Sequence, residues 1–184
     1  INGCLFSGEE IIKEDELSPG PTASHYKDAQ GNLSEQIRDV CKFSNKDGRR
    51  YCIFGIENQS VSCNTMPMRV MGYDFAMYRH EVKELIAENE RNKINVEYGQ
   101  VIPDGQKIAP VISVVMYYGN GKWTGPRTLY EMLNIPDELK QYVSDYKLNI
   151  IEMATLTDED LARLNGDFQS LAEYFAKAAQ HRLA

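Results

Sequence analysis

Two carboxylates and one amide offer the most chemistry in this sequence: Asp39, Glu57 and Gln59. They sit on the two arms of an expected hairpin. Residues 36–43 roughly alternate apolar with polar, Ser44-Asn45-Lys46-Asp47-Gly48 is a turn cluster, and residues 50–57 are a mostly apolar β run. Facing residues of an antiparallel pair have a constant index sum, and a turn centred on Gly48 sets that sum near 96. Asp39 and Glu57 meet it, so they are expected to face each other to within one residue of register. Alternation adds Gln59 to the face of Glu57. The same rule puts Asp39 among Ile37, Cys41 and Phe43, an apolar face on which a lone acid needs a reason. Two carboxylates ~5 Å apart at an effective dielectric of ~20 repel by about 3 kcal/mol. That raises one pKa by ~2 units or calls for a counter-cation. Mg²⁺ prefers carboxylate oxygens and water. Bound there, it would polarise a phosphoryl oxygen and activate water, which suits phosphodiester hydrolysis. On the residues alone two other readings stay open: the acids are solvated, or they pair with Arg38, Arg49 or Arg50.

The surrounding elements must hold that hairpin in place. Residues 9–34 are polar, with Pro19, Gly20, Pro21, Asp28 and Gly31, and read as a long loop with a short strand near Ile11-Ile12. Met71, Phe75, Tyr78, Val82 and Leu85 recur at spacings of four and three, predicting a helix over 66–91 with these residues on one face. Pro67 suits its first turn and Thr65 its cap. Residues 108–118 are a nearly continuous β-rich run, the pattern of a strand buried on both faces. A Gly-rich turn at 119–123, a short helix at 127–133 and a strand at 148–152 follow. Thr157 with Asp158, Glu159 and Asp160 marks a helix start, and a last helix is expected over 168–182. The mixture predicts an α/β fold.

Composition sets the outer bounds. The chain has 184 residues, 42% hydrophobic and 26% charged, the balance of an ordinary globular protein. Ile1 stands where Met would be expected, so the natural start is expected upstream. No apolar run reaches the ~18 residues of a membrane span, so no membrane partner is expected. The net charge is −7, with 27 acidic and 20 basic residues, so any nucleic-acid contact must rest on a local basic patch. Arg38, Lys42, Lys46, Arg49 and Arg50 concentrate such charge at the hairpin, although Arg38 and Lys42 are expected on the face opposite Asp39. Cys4, Cys41, Cys52 and Cys63 have no metal-ligand spacing, and Cys41 and Cys52 fall in strand-like runs as small hydrophobes. This points to a reducing, cytoplasmic setting. Gly119-Asn120-Gly121-Lys122 lacks the spacing of a phosphate loop, so no nucleotide cofactor is expected. His25, His80 and His181 are scattered and expected at the surface.

Several stretches together closely resemble one known family. They are Ile37-Arg38-Asp39-Val40, the run Phe54 to Ser60, the run Met66 to Asp74, Pro110 to Val115, Tyr118-Gly119, Trp123 to Pro126, and Tyr146 to Ile151. Roughly residues 1–155 resemble the Rpn family of recombination-promoting nucleases, also labelled putative transposases, within the PD-(D/E)XK nuclease superfamily. The run around Glu57 is the most specific part. The resemblance implies a central mixed β-sheet flanked by helices, a restriction-endonuclease-like core over 1–155, and a C-terminal helical extension over 156–184. It implies Mg²⁺-dependent DNA endonuclease activity tied to recombination and mobile elements, with Mn²⁺ as an alternative ion. DNA is the implied partner, and a homodimer is a form that superfamily members often adopt.

Residue by residue, the metal-binding aspartate corresponds to Asp39 and the (D/E)-X-K element to Glu57-Asn58-Gln59. Arg69 and Tyr73, four apart at the start of the long helix, are implied to hold phosphate or orient the metal shell; a surface Arg stacked on a Tyr is the other reading. Two features depart from the pattern. Gln59 stands where the superfamily has lysine, and a neutral amide can orient water or donate a hydrogen bond but brings no charge. The acid often supplied by a first helix has no counterpart before Glu9. The alternative is therefore a catalytically inactive relative that binds DNA or a protein partner.

Overall fold

A two-residue turn and one bulge set the register on which the site depends. The computed structural model describes residues 1–27 and 33–183, with side chains for 1–23 and 37–179. Strands β4 (Val40–Lys46) and β5 (Arg49–Gln59) are joined by Asp47 and Gly48, both at positive φ, as a tight hairpin turn requires. That turn pairs Lys46 with Arg49 and Asn45 with Arg50. A bulge beyond Asn45 then admits Tyr51 as an extra residue, and from Ser44–Cys52 to Val40–Ile56 the index sum is 96. Without the bulge every later residue of β5 would turn to the other face. The expected strand over 36–43 is broken: β3 (Leu33–Ile37) ends before Arg38, Asp39 lies in a bend, and β4 starts at Val40.

β5 is the middle of a five-stranded mixed sheet. β1 (Leu17–Pro19) pairs antiparallel with β4, and β4 pairs antiparallel with β5. β6 (Val111–Tyr117) and β7 (Asn149–Glu152) continue parallel on the other side. The order is β1-β4-β5-β6-β7, and β2 (Ala23–Lys27) with β3 forms a separate two-stranded ribbon. Val114 to Tyr117 are all buried, as the apolar run required of a strand covered on both faces. The stretch 9–34 thus holds more β-structure than its polar composition suggested. Ile12 is buried without belonging to a strand. The helix expected at 127–133 is a single 3-10 turn at Tyr130–Met132. Asp28 and Gly31, and the side chains of His25 and His181, lie outside the described residues; His80 is half-buried and stacks on Phe43.

Helices cover both faces. α2 (Met66–Arg91) lies on one, packing Met66 and Val70 on Val115, Tyr117, Trp123 and Leu148, and Met77 on Cys41, Phe43 and Ile53. α1 (Asn2–Leu5), α3 (Asp158–Ala162) and α4 (Gly166–Leu183) serve the other, where Leu161, Leu164, Ala172 and Ala176 pack on Val114, Met116, Ile151 and Met153. The cysteines are free, and burial pushes the Cys41 and Cys52 thiols up. No helix among the described residues is long and apolar enough to cross a membrane.

α2 occupies the expected span but not with the expected face inward. Its buried residues are Met66, Pro67, Val70, Tyr73, Asp74, Met77, Glu81 and Asn89. Met68, Met71, Phe75 and Tyr78 are exposed, and Val82 and Leu85 are half-buried. The inward face tolerates acids because cations from the sheet meet them: Arg38 pairs with Asp74, and Arg50 with Glu81. Thr65 occupies the N-cap position, but its side chain makes no capping bond and lies beside the Cys63 thiol.

At α3 the expected cap is present. Thr157 accepts the Asp160 N–H, while Asp160 accepts from the Thr157 backbone N–H and hydroxyl. Those hydrogen bonds, from the hydroxyl first, hold the Asp160 carboxyl below its ordinary pKa. A depressed acid stabilises the fold above its unfolded pKa and loses that contribution as pH falls through the folded value. Asp160→Ala is therefore expected to lower stability by well under ~1 kcal/mol near neutral pH, because the carboxylate is partly exposed and screened by solvent. The difference from wild type should shrink toward zero in acid, as read by denaturant melts at two pH values.

Candidate active site

The end of β5 carries the site, because β4 leaves it there. Beyond Val40–Ile56 the antiparallel ladder stops, and the edge of β5 loses its strand partner. The Asp39 side chain takes over: its Oδ2 accepts the Asn58 N–H at 2.7 Å. Asp39 is exposed, whereas Glu57, beside Asn58, is 4% exposed on the face covered by α2. Both acids thus lie at the same end of β5, Asp39 at the rim and Glu57 inside.

The other expected residues attach to Glu57. Its Oε1 pairs with the Arg69 guanidinium and also accepts from the Gln59 amide at 3.3 Å. Arg69 Nε donates to the Tyr73 hydroxyl at 3.2 Å, and that hydroxyl donates to the Ile37 carbonyl at 2.7 Å. Ile37 leads back to Asp39, and Asn58 back to Glu57. Glu57, Arg69 and Tyr73 thus form a ring closed through the backbone by Ile37, Asp39 and Asn58, with Gln59 attached to Glu57. The guanidinium partner of Glu57 is Arg69, not the Arg38, Arg49 or Arg50 considered from sequence. Glu57 Oε2 is buried and has no hydrogen-bond partner among the described residues.

A second polar cluster supports the ring from beneath α2, and the sequence reading did not find it. Asp74 accepts from Arg38 at 2.8 Å and from the hydroxyls of Ser113 and Tyr146. Burial, then the hydrogen bond to Asp74 and its charge, push the Tyr146 phenol far above its ordinary range, so it remains a donor. Arg38 lies over the Tyr73 ring, 5.0 Å from its centre, and directly above Gly55. A Cβ at Gly55 would fall 1.9 Å from Arg38 Nη1. The signal available in sequence was an aspartate between Val70, Tyr73 and Met77, with a glycine two residues before Glu57.

Arg38 therefore does not belong to a basic patch on the face opposite Asp39; it is buried on the α2 side. Arg50 is bound to Glu81 and Glu84, and Lys46 donates to the Ile11 carbonyl over the Tyr51 ring. The hairpin is accordingly not a free cationic surface, although Arg49 stays exposed. Trp123, from another stretch carrying the resemblance, is structural. It is buried against Tyr117, and its backbone N–H donates to Glu152.

The oxygen donors at the end of β5 are two carboxylates; among the described residues no group of three or more His, Cys, Asp or Glu is placed to hold a metal. A family model described as "Putative transposase, YhgA-like" matches residues 27–182. No curated protein and no solved structure matches the chain.

Proposed function

The chain belongs to the YhgA-like putative transposase family, which associates it with mobile elements, and we propose that it is a divalent-metal-dependent DNA endonuclease. The observation that carries this reading is Glu57 Oε2, a buried carboxylate oxygen with no partner, at the strand end that also presents Asp39. Buried polar atoms are nearly always satisfied, so this oxygen is open to an ion or a water. The donors fit Mg²⁺ or Mn²⁺: both are carboxylates, and Mg²⁺ binds through one or two of these while keeping several waters. The sheet supports a PD-(D/E)XK core, since an antiparallel hairpin, with Glu57 on its second strand and Asp39 in the bend before its first, leads into a helix and then a parallel strand.

Asp39 and Glu57 would hold the ion, which when bound supplies Lewis acidity toward a phosphoryl oxygen and lowers the pKa of its water. The residues around it do the rest. Asp39 is kept at the rim by the Asn58 N–H. Tyr73 ties the chain before Asp39 to α2 through the Ile37 carbonyl. Gln59 spends one amide N–H on Glu57 and retains a second N–H and a carbonyl oxygen to orient water. Arg69, partly exposed, offers a planar fork of donors for phosphate.

A second reading, an inactive relative that binds DNA or a protein, draws on a specific observation. Gln59 brings no charge, and Arg69 already neutralises Glu57. Supercoiled plasmid separates the two. Nicking with Mg²⁺ or Mn²⁺ that EDTA stops, and that Glu57→Gln abolishes, supports the nuclease. DNA retained on a filter with no nicking under either ion supports the binder.

A further inference from the structure

We propose that Arg69 is a built-in counter-cation: its guanidinium holds the place beside Glu57 until a divalent ion takes it, then turns outward to the phosphate. The inference rests on the nuclease reading above. Glu57 is buried near the end of the sheet's central strand, and a carboxylate there needs a positive partner whether or not metal is bound. Its two oxygens are used unequally. Oε1 carries both Arg69 and Gln59, while Oε2 carries nothing.

The two partners differ in freedom. Glu57 is 5% exposed at its side chain, Arg69 35%. Arg69 reaches in from near the start of α2, at the rim of the site, on a long flexible stem. Its other recorded bond, to Tyr73, does not depend on Glu57, since the Tyr73 hydroxyl is anchored separately on the Ile37 carbonyl. Arg69 therefore has a pivot about which the fork can swing. A divalent ion on Glu57 would share that carboxylate with the guanidinium, and like charges that close in a poorly solvated site repel each other. The displaced guanidinium would remain beside the ion, where a phosphodiester must lie. Arg38 does not play this part: it is buried and committed to Asp74.

The test compares wild type with Arg69→Gln, which keeps amide donors but loses the charge. Mn²⁺ binding is read by calorimetry, and melting temperature is read in EDTA and in Mn²⁺. The expected result is Mn²⁺ affinity at least tenfold higher in R69Q, with a lower melting temperature in EDTA and a larger rise on adding Mn²⁺. Folding of R69Q only in Mn²⁺ supports the proposal equally. Should R69Q not fold under either condition, Arg69→Met, which also removes the charge, is read the same way, and an affinity no higher than wild type counts against the proposal. Unchanged or weaker Mn²⁺ binding by R69Q, in a protein whose wild type nicks plasmid, overturns the counter-cation and leaves the nuclease standing. Wild type and R69Q that both take up no Mn²⁺, with no nicking, overturn both.

Discussion

Asp74→Ala should cost about 3–5 kcal/mol of folding stability, the range for removing one partner of a buried ion pair. Total stability of a domain is about 5–15 kcal/mol, so this single change brings the protein close to unfolding. The reason is the number of groups that Asp74 serves. Arg38, Ser113 and Tyr146 all donate to it, from strands and loops up to 72 residues away in sequence. Without it the Arg38 guanidinium is left charged and buried, with Nη1 already unpartnered. Gly55→Ala strikes the same pair from the sheet side, because its Cβ would lie 2.3 Å from Arg38 Cζ. The two substitutions should therefore be strongly non-additive, with Gly55→Ala milder once Asp74 is gone. Urea unfolding of the two single variants and the double variant measures this. A loss under about 1 kcal/mol for Asp74→Ala, the scale of one ordinary hydrogen bond, would contradict it.

Asp39 allows its two roles to be separated. Its Oδ2 serves as backbone substitute for Asn58, and its charge is proposed to hold the ion. Asp39→Asn keeps a carbonyl oxygen for the Asn58 N–H but removes the charge. Nicking should fall by at least about a hundredfold, since a Lewis-acid contribution of several kcal/mol is at stake and each 1.36 kcal/mol is a factor of ten. The melting temperature should barely move. Asp39→Ala should lose both activity and some stability. Nicking by Asp39→Asn within a few-fold of wild type would assign Asp39 to structure alone.

The hairpin was legible, although its register came right through two offsets. The turn centres between Asp47 and Gly48, one residue short of the expected sum, and the bulge at Tyr51 restores it. No local pattern marks that bulge. Helix α2 was legible because apolar residues at spacings of three and four run from Met71 to Leu85 and Pro67 suits its first turn. Its inward face was not, since apolar spacing finds a stripe and says nothing of what will pair with the charges on the other side. Asp74 and Glu81 face inward because Arg38 and Arg50, 36 and 31 residues earlier, are brought beneath them by the sheet. The same tertiary fact moved Arg38 from the expected basic patch into the core. Glu57, Gln59, Arg69 and Tyr73 could be named beforehand, but not the choice of Arg69 as the partner of Glu57. That pairing depends on where α2 lands on the sheet.

Asp39 and Glu57 are proposed to hold one divalent ion between them. The most direct test is diffraction from Mn²⁺-soaked crystals at a wavelength where manganese scatters anomalously. One strong anomalous peak is expected within coordinating distance of both carboxylates, with the Arg69 guanidinium turned away from Glu57. A structure at saturating Mn²⁺ with no peak there, and with Arg69 still seated on Glu57, would contradict it.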